Sequence, residues 1–357
     1  MIKVAVFGAG KIGSAVHKIL SGPGFPYDIR SFVVDSDQNA ISELEGVVLD
    51  VANTSVQELT AFLTERGVSH VINAMPFFLN DKIASGAVGA CCDYIDFTED
   101  DLMADKVQMI YAETGLNCAV KCGLAPGFIN YIGHDLVRQL DSTDSLTISV
   151  GALPRTASFY RTNPGGSYNL TWSVDGLVNE YIRPCRVKVL GQVIEVPALG
   201  RQIDVILDGV KYEAALTSGG VGSLVHELKD VPNISYKTLR YPGHYDWVRA
   251  IVGKYNKDFA RIKAEFLSTF PQSNDDVIVV YAEAVGKLDG QLARRTFYDK
   301  FYGVDGLTGI QATTAGAGVA MLELMLTSKV SGVPNHTDVK LSDFAATSAF
   351  RRFYKTK

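Results

Sequence analysis

The chain has 357 residues, too many for one ordinary domain and comfortable for two. Its 47% hydrophobic and 20% charged content is that of a folded globular protein, and a formal charge of −5 with no basic patch or arm excludes a nucleic-acid surface. No apolar run is long enough to cross a membrane and no charged leader precedes an apolar core, so a cytoplasmic location is expected. Five cysteines, an odd number in a large chain, argue against a disulfide framework. Cys118 and Cys122 have no second Cys/His pair to complete a zinc site, so no metal is expected.

The first predicted strand, residues 2–7, runs straight into Gly8-Ala9-Gly10-Lys11-Ile12-Gly13. A helix follows with Ile12, Val16, Ile19 and Leu20 on one side, and a second strand, 29–34, ends at Asp35. Strand, G-x-G-x-x-G, helix, strand and acid in that order form the dinucleotide-binding fingerprint. Gly8 serves the tight turn, Gly10 the approach of a pyrophosphate to the backbone, and Gly13 the packing of helix on sheet. The helix N-terminus offers unpaired N–H groups to phosphate. Asp35 would accept from the adenosine ribose hydroxyls and repel a 2′-phosphate, which favours NAD over NADP. Arg30, upstream on the second strand, keeps NADP open.

Alternation continues to about residue 125. Strands are expected at 46–51, 70–74, 93–97 and 117–124, and helices at 55–66, about 80–90 and near 104–114. Such βα alternation implies a doubly wound parallel sheet with ligands at the carboxyl ends of its strands. Beyond Pro126-Gly127 the pattern changes. After a helix at about 128–140 come long alternating segments at 145–153, 168–174, 186–196, 203–214 and 235–241. The segments 277–287 and 291–302 flank Leu288-Asp289-Gly290, a hairpin signal. Helices at about 309–328 and 341–354 close the chain. The expected architecture is α/β. A Rossmann domain of residues 1–125 is completed by C-terminal helices, residues 308–357. Residues 126–307 form an α+β second domain with a mixed, largely antiparallel sheet, serving substrate binding and dimerisation. Its exposed strand edges point to a homodimer or higher homo-oligomer.

Several runs resemble the saccharopine dehydrogenase-like family of NAD(P)-dependent oxidoreductases. They are 4–13, Asp93-Tyr94-Ile95-Asp96, the G-L-A-P-G-F-I-N run at 123–130, Gly151-Ala152-Leu153-Pro154 and Ile310-Gln311-Ala312-Thr313-Thr314. Trp172 to Tyr181 (W-S-V-D-G-L-V-N-E-Y) and Leu239 to His244 (L-R-Y-P-G-H) are similar to the lysine 6-dehydrogenase branch of that family. The resemblance implies a two-domain fold and NAD-dependent oxidative deamination of the ε-amino group of L-lysine. The product would be 2-aminoadipate 6-semialdehyde, cyclising to piperideine-6-carboxylate, with ammonia released. It also suggests a homodimer.

Such chemistry needs a cofactor pocket, a base for the substrate ammonium, a group that activates water, and fixed charges for the amino-acid end. Asp96 and Glu99, just past a strand at the ligand edge, are candidates for base and water activation. Equally, Asp-Phe-Thr-Glu-Asp-Asp reads as a helix start, with Asp96 as N-cap. His244, in a turn after a strand, is the rival base or else a surface histidine. Arg240, then Arg155, are anchors for a carboxylate unless they form structural ion pairs. Glu180, after a β segment, would meet the α-ammonium group or sit solvated. Tyr168 and Trp172, on alternate positions of one β face, would wall an aliphatic chain or pack as core. Asn73, Ala74, Met75 and Pro76 would flank the middle of the cofactor, and Gly123, Ala125, Pro126 and Gly127 the nicotinamide. Gln311 to Thr314 would cap a helix or meet the cofactor.

Three other readings stay open. A saccharopine-type or carboxynorspermidine-type dehydrogenase would act on a secondary amine, with Arg155, Arg161, Arg183 and Arg186 available for a second carboxylate. An aldehyde-type dehydrogenase would use Cys122 as nucleophile, though a thiol within an apolar strand ionises poorly. The third is an NAD-binding sensor without catalysis.

Overall fold

The structure is a computed structural model that describes residues 1–155 and 168–354. Two compact units are formed, one by Met1–Phe128 with the described chain from Gln311 onward, the other by Ile129–Ile310.

The first unit opens with β1 (Ile2–Phe7), α1 (Lys11–Ser21), β2 (Ile29–Asp35) and β3 (Gly46–Val48). It continues with α2 (Val56–Arg66), β4 (His70–Asn73), α3 (Asn80–Gly89), β5 (Asp93–Asp96), α4 (Asp101–Tyr111) and β6 (Cys118–Ala119). The strand order is β3-β2-β1-β4-β5-β6 and every pairing is parallel. Its order reverses between β1 and β4, the position at which doubly wound sheets hold ligands. Register pairs Phe7 with Asn73 and Asn73 with Asp96, so three strands leave the sheet at one level. Strands buried on both faces read as continuous apolar runs, and Val4 to Phe7, Val71 and Ile72 are all fully buried. α2 shows why the local sequence suffices: Ser55 and Glu58 form a reciprocal capping box, and Gly67 at φ 62° ends the helix. The small residues of α3 have a steric reason too. A Cβ on Gly86 would lie 2.8 Å from Leu59 of α2, and one on Gly89 2.5 Å from Thr60.

Several boundaries differ from expectation: β3 stops at Val48 instead of reaching residue 51. β6 spans two residues instead of 117–124, because Lys121 takes a left-handed φ of 60°. α4 starts at Asp101 because Asp100 caps it, accepting from Met103 N at 2.9 Å.

The second unit holds α5 (Phe128–Val137, from its second residue), β7 (Ser142–Pro154), α6 (Val174–Ile182), β8 (Cys185–Val189), β9 (Gln192–Val196), β10 (Ile203–Leu207) and β11 (Val210–Leu216). There follow α7 (Leu224–Glu227), β12 (Asn233–Arg240), α8 (His244–Lys254), α9 (Phe259–Thr269), β13 (Asp276–Leu288) and β14 (Gln291–Tyr302). Its sheet runs β10-β11-β12-β7-β13-β14, with β8 joining β12 and β9. Among the described residues, only the β12–β7 strand pairing is parallel, so the sheet is mixed and largely antiparallel. Each expected segment at 186–196 and 203–214 is two strands. Leu190-Gly191 and Asp208-Gly209 turn them with both φ values positive, as Asp289-Gly290 does between β13 and β14.

Residues 168–174 form no strand; Ser173 caps α6 instead, accepting from Gly176 N. α8 and α9 occupy a stretch for which the alternation reading gives no element. With α6 they bury Leu177, Tyr181, Tyr245, Val248, Ile262 and Phe266 in one cluster.

α10 (Gly309–Leu326) begins where the Asp276 carboxylate accepts from Gly309 N and from Ile310 N at 3.0 Å. Beyond it, in the first unit, the expected last helix is two, α11 (Leu341–Ala346) and α12 (Ser348–Phe353). Thr347 breaks them by leaving the helical region, with ψ 154°, and its hydroxyl caps α12. Phe344, Phe350 and Tyr354 close around Phe128.

Candidate active site

The glycine turn has the shape its residues imply. Gly8 sits at φ 97°, and a Cβ there would lie 2.9 Å from Ala74 O. A Cβ on Gly13 would lie 1.8 Å from Gly8 O, so α1 packs on β1 only because Gly13 is bare. Gly10 has no atom within 4 Å of its Cβ position and caps α1 without a side chain. The N–H groups of the first helical turn, at Lys11 and Ile12 onward, therefore face a backbone cradle that a pyrophosphate fits. Asp35 stands beside it at the end of β2. Its Oδ2 accepts from Ala9 N at 2.7 Å and Oδ1 from Asp37 N at 3.0 Å. A carboxylate takes about four hydrogen bonds, so capacity remains for ribose hydroxyls. Arg30 lies near the start of β2, at the opposite edge of the sheet, where Glu45 accepts from its Nε and Nη2 at 2.9 and 2.7 Å.

Next to the turn, the ends of β4 and β5 are pinned by a buried polar hub. Asn73 Nδ2 donates to Asn80 Oδ1 and to Tyr94 Oη, both at 2.9 Å, and its Oδ1 accepts from Met75 N at 3.0 Å. The side chain of Asn73 is thus spent inside the protein, leaving the backbone of Ala74, Met75 and Pro76 to line the edge. Asp96 is the centre of the hub. Its Oδ2 accepts from Asn80 Nδ2 at 2.9 Å and Tyr94 Oη at 3.2 Å, and its Oδ1 from Lys121 N at 3.0 Å and Thr98 N at 3.1 Å. Burial pushes its carboxyl up to about 6 against these hydrogen bonds. With 0% exposure and four donors on two oxygens, Asp96 holds the sheet edge together and has no lone pair open to a substrate proton. Neither the base reading nor the N-cap reading of Asp96 holds. Glu99, three residues on, is exposed on the loop before α4.

Lys121 was not anticipated. Its backbone N–H pins Asp96, and its buried ammonium pairs with Asp101. Cys122, beside it, is buried with its thiol on Val120 O at 3.4 Å, which does not suit a nucleophile. Gly123 to Gly127 form a tight loop with a cis Ala125–Pro126 peptide, in which Phe128 N reaches Gly123 O at 2.9 Å. A Cβ on Gly127, at φ 130°, would lie 2.0 Å from Gly123 O, so the loop closes only on a glycine there. Gln311 Nε2 donates to Lys11 O at 3.0 Å, while Asp276, not 311–314, caps α10.

In the second unit the structure gathers five candidate residues from two stretches. Arg240, at the end of β12, is 1% exposed. Its Nε donates to Tyr181 Oη at 2.8 Å, Nη1 to Leu239 O at 3.0 Å and Nη2 to Glu180 Oε2 at 3.1 Å. Glu180 Oε1 accepts from Thr238 Oγ1 at 3.0 Å. The guanidinium lies 4.8 Å from the Tyr168 ring, and Trp172 Nε1 donates to Tyr168 Oη at 2.9 Å. His244 is the first residue of α8, fully buried, 2.9 Å from Tyr181 Oη and 5.0 Å from the Tyr168 ring.

This corrects four expectations. Arg240 and Glu180 are each other's partners, so neither charge is left for a substrate carboxylate or ammonium. Glu180 belongs to helix α6, not to a strand end. Tyr168 and Trp172 share no β face; Trp172 packs on Gly176 at the start of α6, where a Cβ would lie 2.5 Å away. His244 is no surface-turn histidine. Burial raises Glu180, with Arg240 and Thr238 opposing. Arg155 lies apart, half exposed, 3.9 Å from Asp275 and 5.1 Å from the Tyr302 ring. Arg161 falls outside the described residues. Tyr181, Thr238 and Tyr94 complete the networks unannounced. Tyr94, two positions before Asp96, shares its strand face, a signal that period-two reading carries.

The sequence model of the family described as saccharopine dehydrogenase C-terminal domain matches residues 123–341, well over half of the chain. Among solved structures, the chain is similar to apo saccharopine dehydrogenase (L-Glu forming) from Saccharomyces cerevisiae. The TM-score is 0.72 and the identity 15%, over 96% of each chain. It is also similar to C. glutamicum DAP dehydrogenase in complex with DAP, with TM-score 0.51 and 12% identity over 97% of this chain and 96% of that one. An engineered D-amino acid dehydrogenase bound to NADP+ gives TM-score 0.51 and 11% identity over 97% of each. These likenesses are of fold. Together with the match across residues 123–341, they establish that the chain belongs to the saccharopine dehydrogenase-like family of oxidoreductases.

Proposed function

We propose that the enzyme oxidises the ε-carbon of L-lysine with NAD, releasing ammonia and 2-aminoadipate 6-semialdehyde, which cyclises to piperideine-6-carboxylate. One observation carries this reading. The two runs that resemble the lysine dehydrogenase branch, 172–181 and 239–244, fold into a single cluster, Trp172–Glu180–Tyr181–Arg240–His244, which Tyr168 from just outside the first run joins. Residues sixty apart that meet in this way act as one unit of the fold, which supports reading the two runs together.

When bound, the nicotinamide supplies the hydride acceptor. Gly8, Gly10, Gly13 and the backbone of Lys11 and Ile12 hold the pyrophosphate, and Asp35 takes the ribose hydroxyls. The Asp35 carboxylate repels a 2′-phosphate, and Arg30, paired with Glu45 at the far sheet edge, does not stand beside it to welcome one. Both features support NAD. The backbones of Ala74 to Pro76 and of Gly123, Ala125 and Pro126 flank the rest of the cofactor. The substrate ammonium loses one proton and its carbon one hydride. Water then adds to the iminium carbon and the C–N bond breaks. Glu99, the exposed carboxylate at that sheet edge, is the group that serves proton transfer. The same reading makes the protein a homodimer through the second unit, where β10 and β14 end the sheet.

The test is nicotinamide reduction in purified protein with L-lysine at mildly alkaline pH, with NAD and NADP in parallel, and ornithine, saccharopine and a polyamine as rival substrates. A rate with lysine and NAD, with one ammonia per turnover, is expected. A rate with saccharopine or a polyamine alone moves the substrate to a secondary amine. Silence with every amine despite tight NAD binding defeats the enzymatic reading.

A further inference from the structure

The hydrogen bonds around Tyr181 fix where a proton sits. Its hydroxyl has two partners, Arg240 Nε at 2.8 Å and His244 Nε2 at 2.9 Å, and the residue is buried. A guanidinium nitrogen only donates, so the phenol oxygen accepts from Arg240. A phenol carries one proton, and the acceptor left for it is His244 Nε2. We infer that Arg240 and Tyr181 together hold His244 as the neutral ring protonated at Nδ1. The opposite tautomer would aim two donors at the phenol oxygen and leave the phenol proton unpaired in a buried site, the costly arrangement for a polar group. Doubly protonated imidazole has the same defect and adds a second cation beside Arg240.

The surroundings agree from each element packed there. On α6, Glu180 is spent on Arg240 and Thr238. On β11, the Glu213 carboxylate accepts from Gly243 N at 2.8 Å and Tyr245 N at 3.5 Å. Tyr168 lies with its ring centroid 5.0 Å away, Tyr245 on α8 itself is 5.7 Å away edge-on, and Phe270 stacks at 5.7 Å. Among the described residues, Arg240 on β12 is the cation of the group. Tyr181 and Arg240 are thus positioning residues: they commit the Nε2 lone pair and make Nδ1–H the ring's one donor. For the amine oxidation proposed above, on which this step rests, His244 is therefore not the base.

The experiment is long-range ¹H–¹⁵N NMR of the whole protein labelled on histidine, without amine or nicotinamide. His244→Gln, which keeps an acceptor for Tyr181, assigns the signal by its loss. Wild type is expected to show one protonated nitrogen, Nδ1, and one bare nitrogen, Nε2, unchanged from about pH 5 to about pH 8. Tyr181→Phe is expected to release the ring towards the Nε2–H form or to let it titrate. An Nε2–H or doubly protonated ring in wild type near neutrality overturns the inference, and so does a Tyr181→Phe spectrum identical to wild type. Because no substrate is present, an enzyme silent with lysine leaves the result standing, and an active one does not rescue it.

Discussion

Asp96 shows how one side chain can be essential to a site without touching its chemistry. Four donors from α3, β5, the loop after β5 and the loop after β6 converge on it, and the last of these requires the left-handed backbone of Lys121. Burial nevertheless dominates and raises its carboxyl to about 6 from an unfolded value near 4. The sign of the linkage follows. Between those values the folded chain holds a proton that the unfolded chain has lost, so folding stability falls as pH rises from about 4 to about 6 and is level above. The upper bound on this loss is about 3 kcal/mol, from about two pKa units at 1.36 kcal/mol each. Asp96→Asn removes the titrating group. Denaturant unfolding at a series of pH values should show wild type losing ground to the variant across that window, whatever their difference at its acid end. A pH-independent difference would mean that the four hydrogen bonds fully offset burial, leaving the folded and unfolded carboxyls alike.

Between elements, the Glu180–Arg240 pair ties α6 to β12. Both charges are buried, so removing one leaves the other stranded. Arg240→Met should cost about 3–5 kcal/mol in denaturant unfolding. Glu180→Gln should cost a similar amount in wild type and far less in the Arg240→Met background. Equal cost in both backgrounds would show that the two side chains are not coupled. This pair was not legible in the sequence, because sixty residues separate its members and only tertiary packing brings them together. The glycine turn was legible, because its conformations are written in residue types: Gly13 cannot carry a Cβ and Gly8 sits at positive φ. The parallel sheet is legible in the βα alternation and in the apolar runs at the centres of its strands, as in Val4 to Phe7 and Val71-Ile72. The hairpin turns at Leu190-Gly191 and Asp208-Gly209 are hidden inside uninterrupted alternating segments, so their strands fused on paper. α8 and α9 do carry a helical period, in Tyr245, Val248 and Val252 and in Ile262 and Phe266. Their aromatic and β-branched content masks it.

Across the whole molecule, the proposed cofactor gives the first unit a stabilising term that the second does not share directly. A ligand bound only by the folded state adds RT ln(1 + [L]/Kd), about 2.7 kcal/mol at a hundredfold excess over Kd. A chain of two compact units need not melt in one step, so the transition to follow is the one that NAD moves. Thermal scans with NAD should raise that transition. NADP at equal concentration should raise it much less, since the carboxylate of Asp35 meets the 2′-phosphate while Arg30 is held by Glu45 at the other edge. Gly10→Ala separates cofactor from fold. Its Cβ meets nothing within 4 Å, so the unliganded transition should stay where it is, whereas the same methyl group stands where a pyrophosphate would lie. A loss of roughly tenfold or more in NAD affinity, about 1.4 kcal/mol, is expected. An NADP shift equal to that of NAD would defeat the specificity argument alone. A full NAD shift in Gly10→Ala would remove the glycine turn from the cofactor site altogether, and with it the reason for placing the redox chemistry at the β1–β4 edge of this sheet.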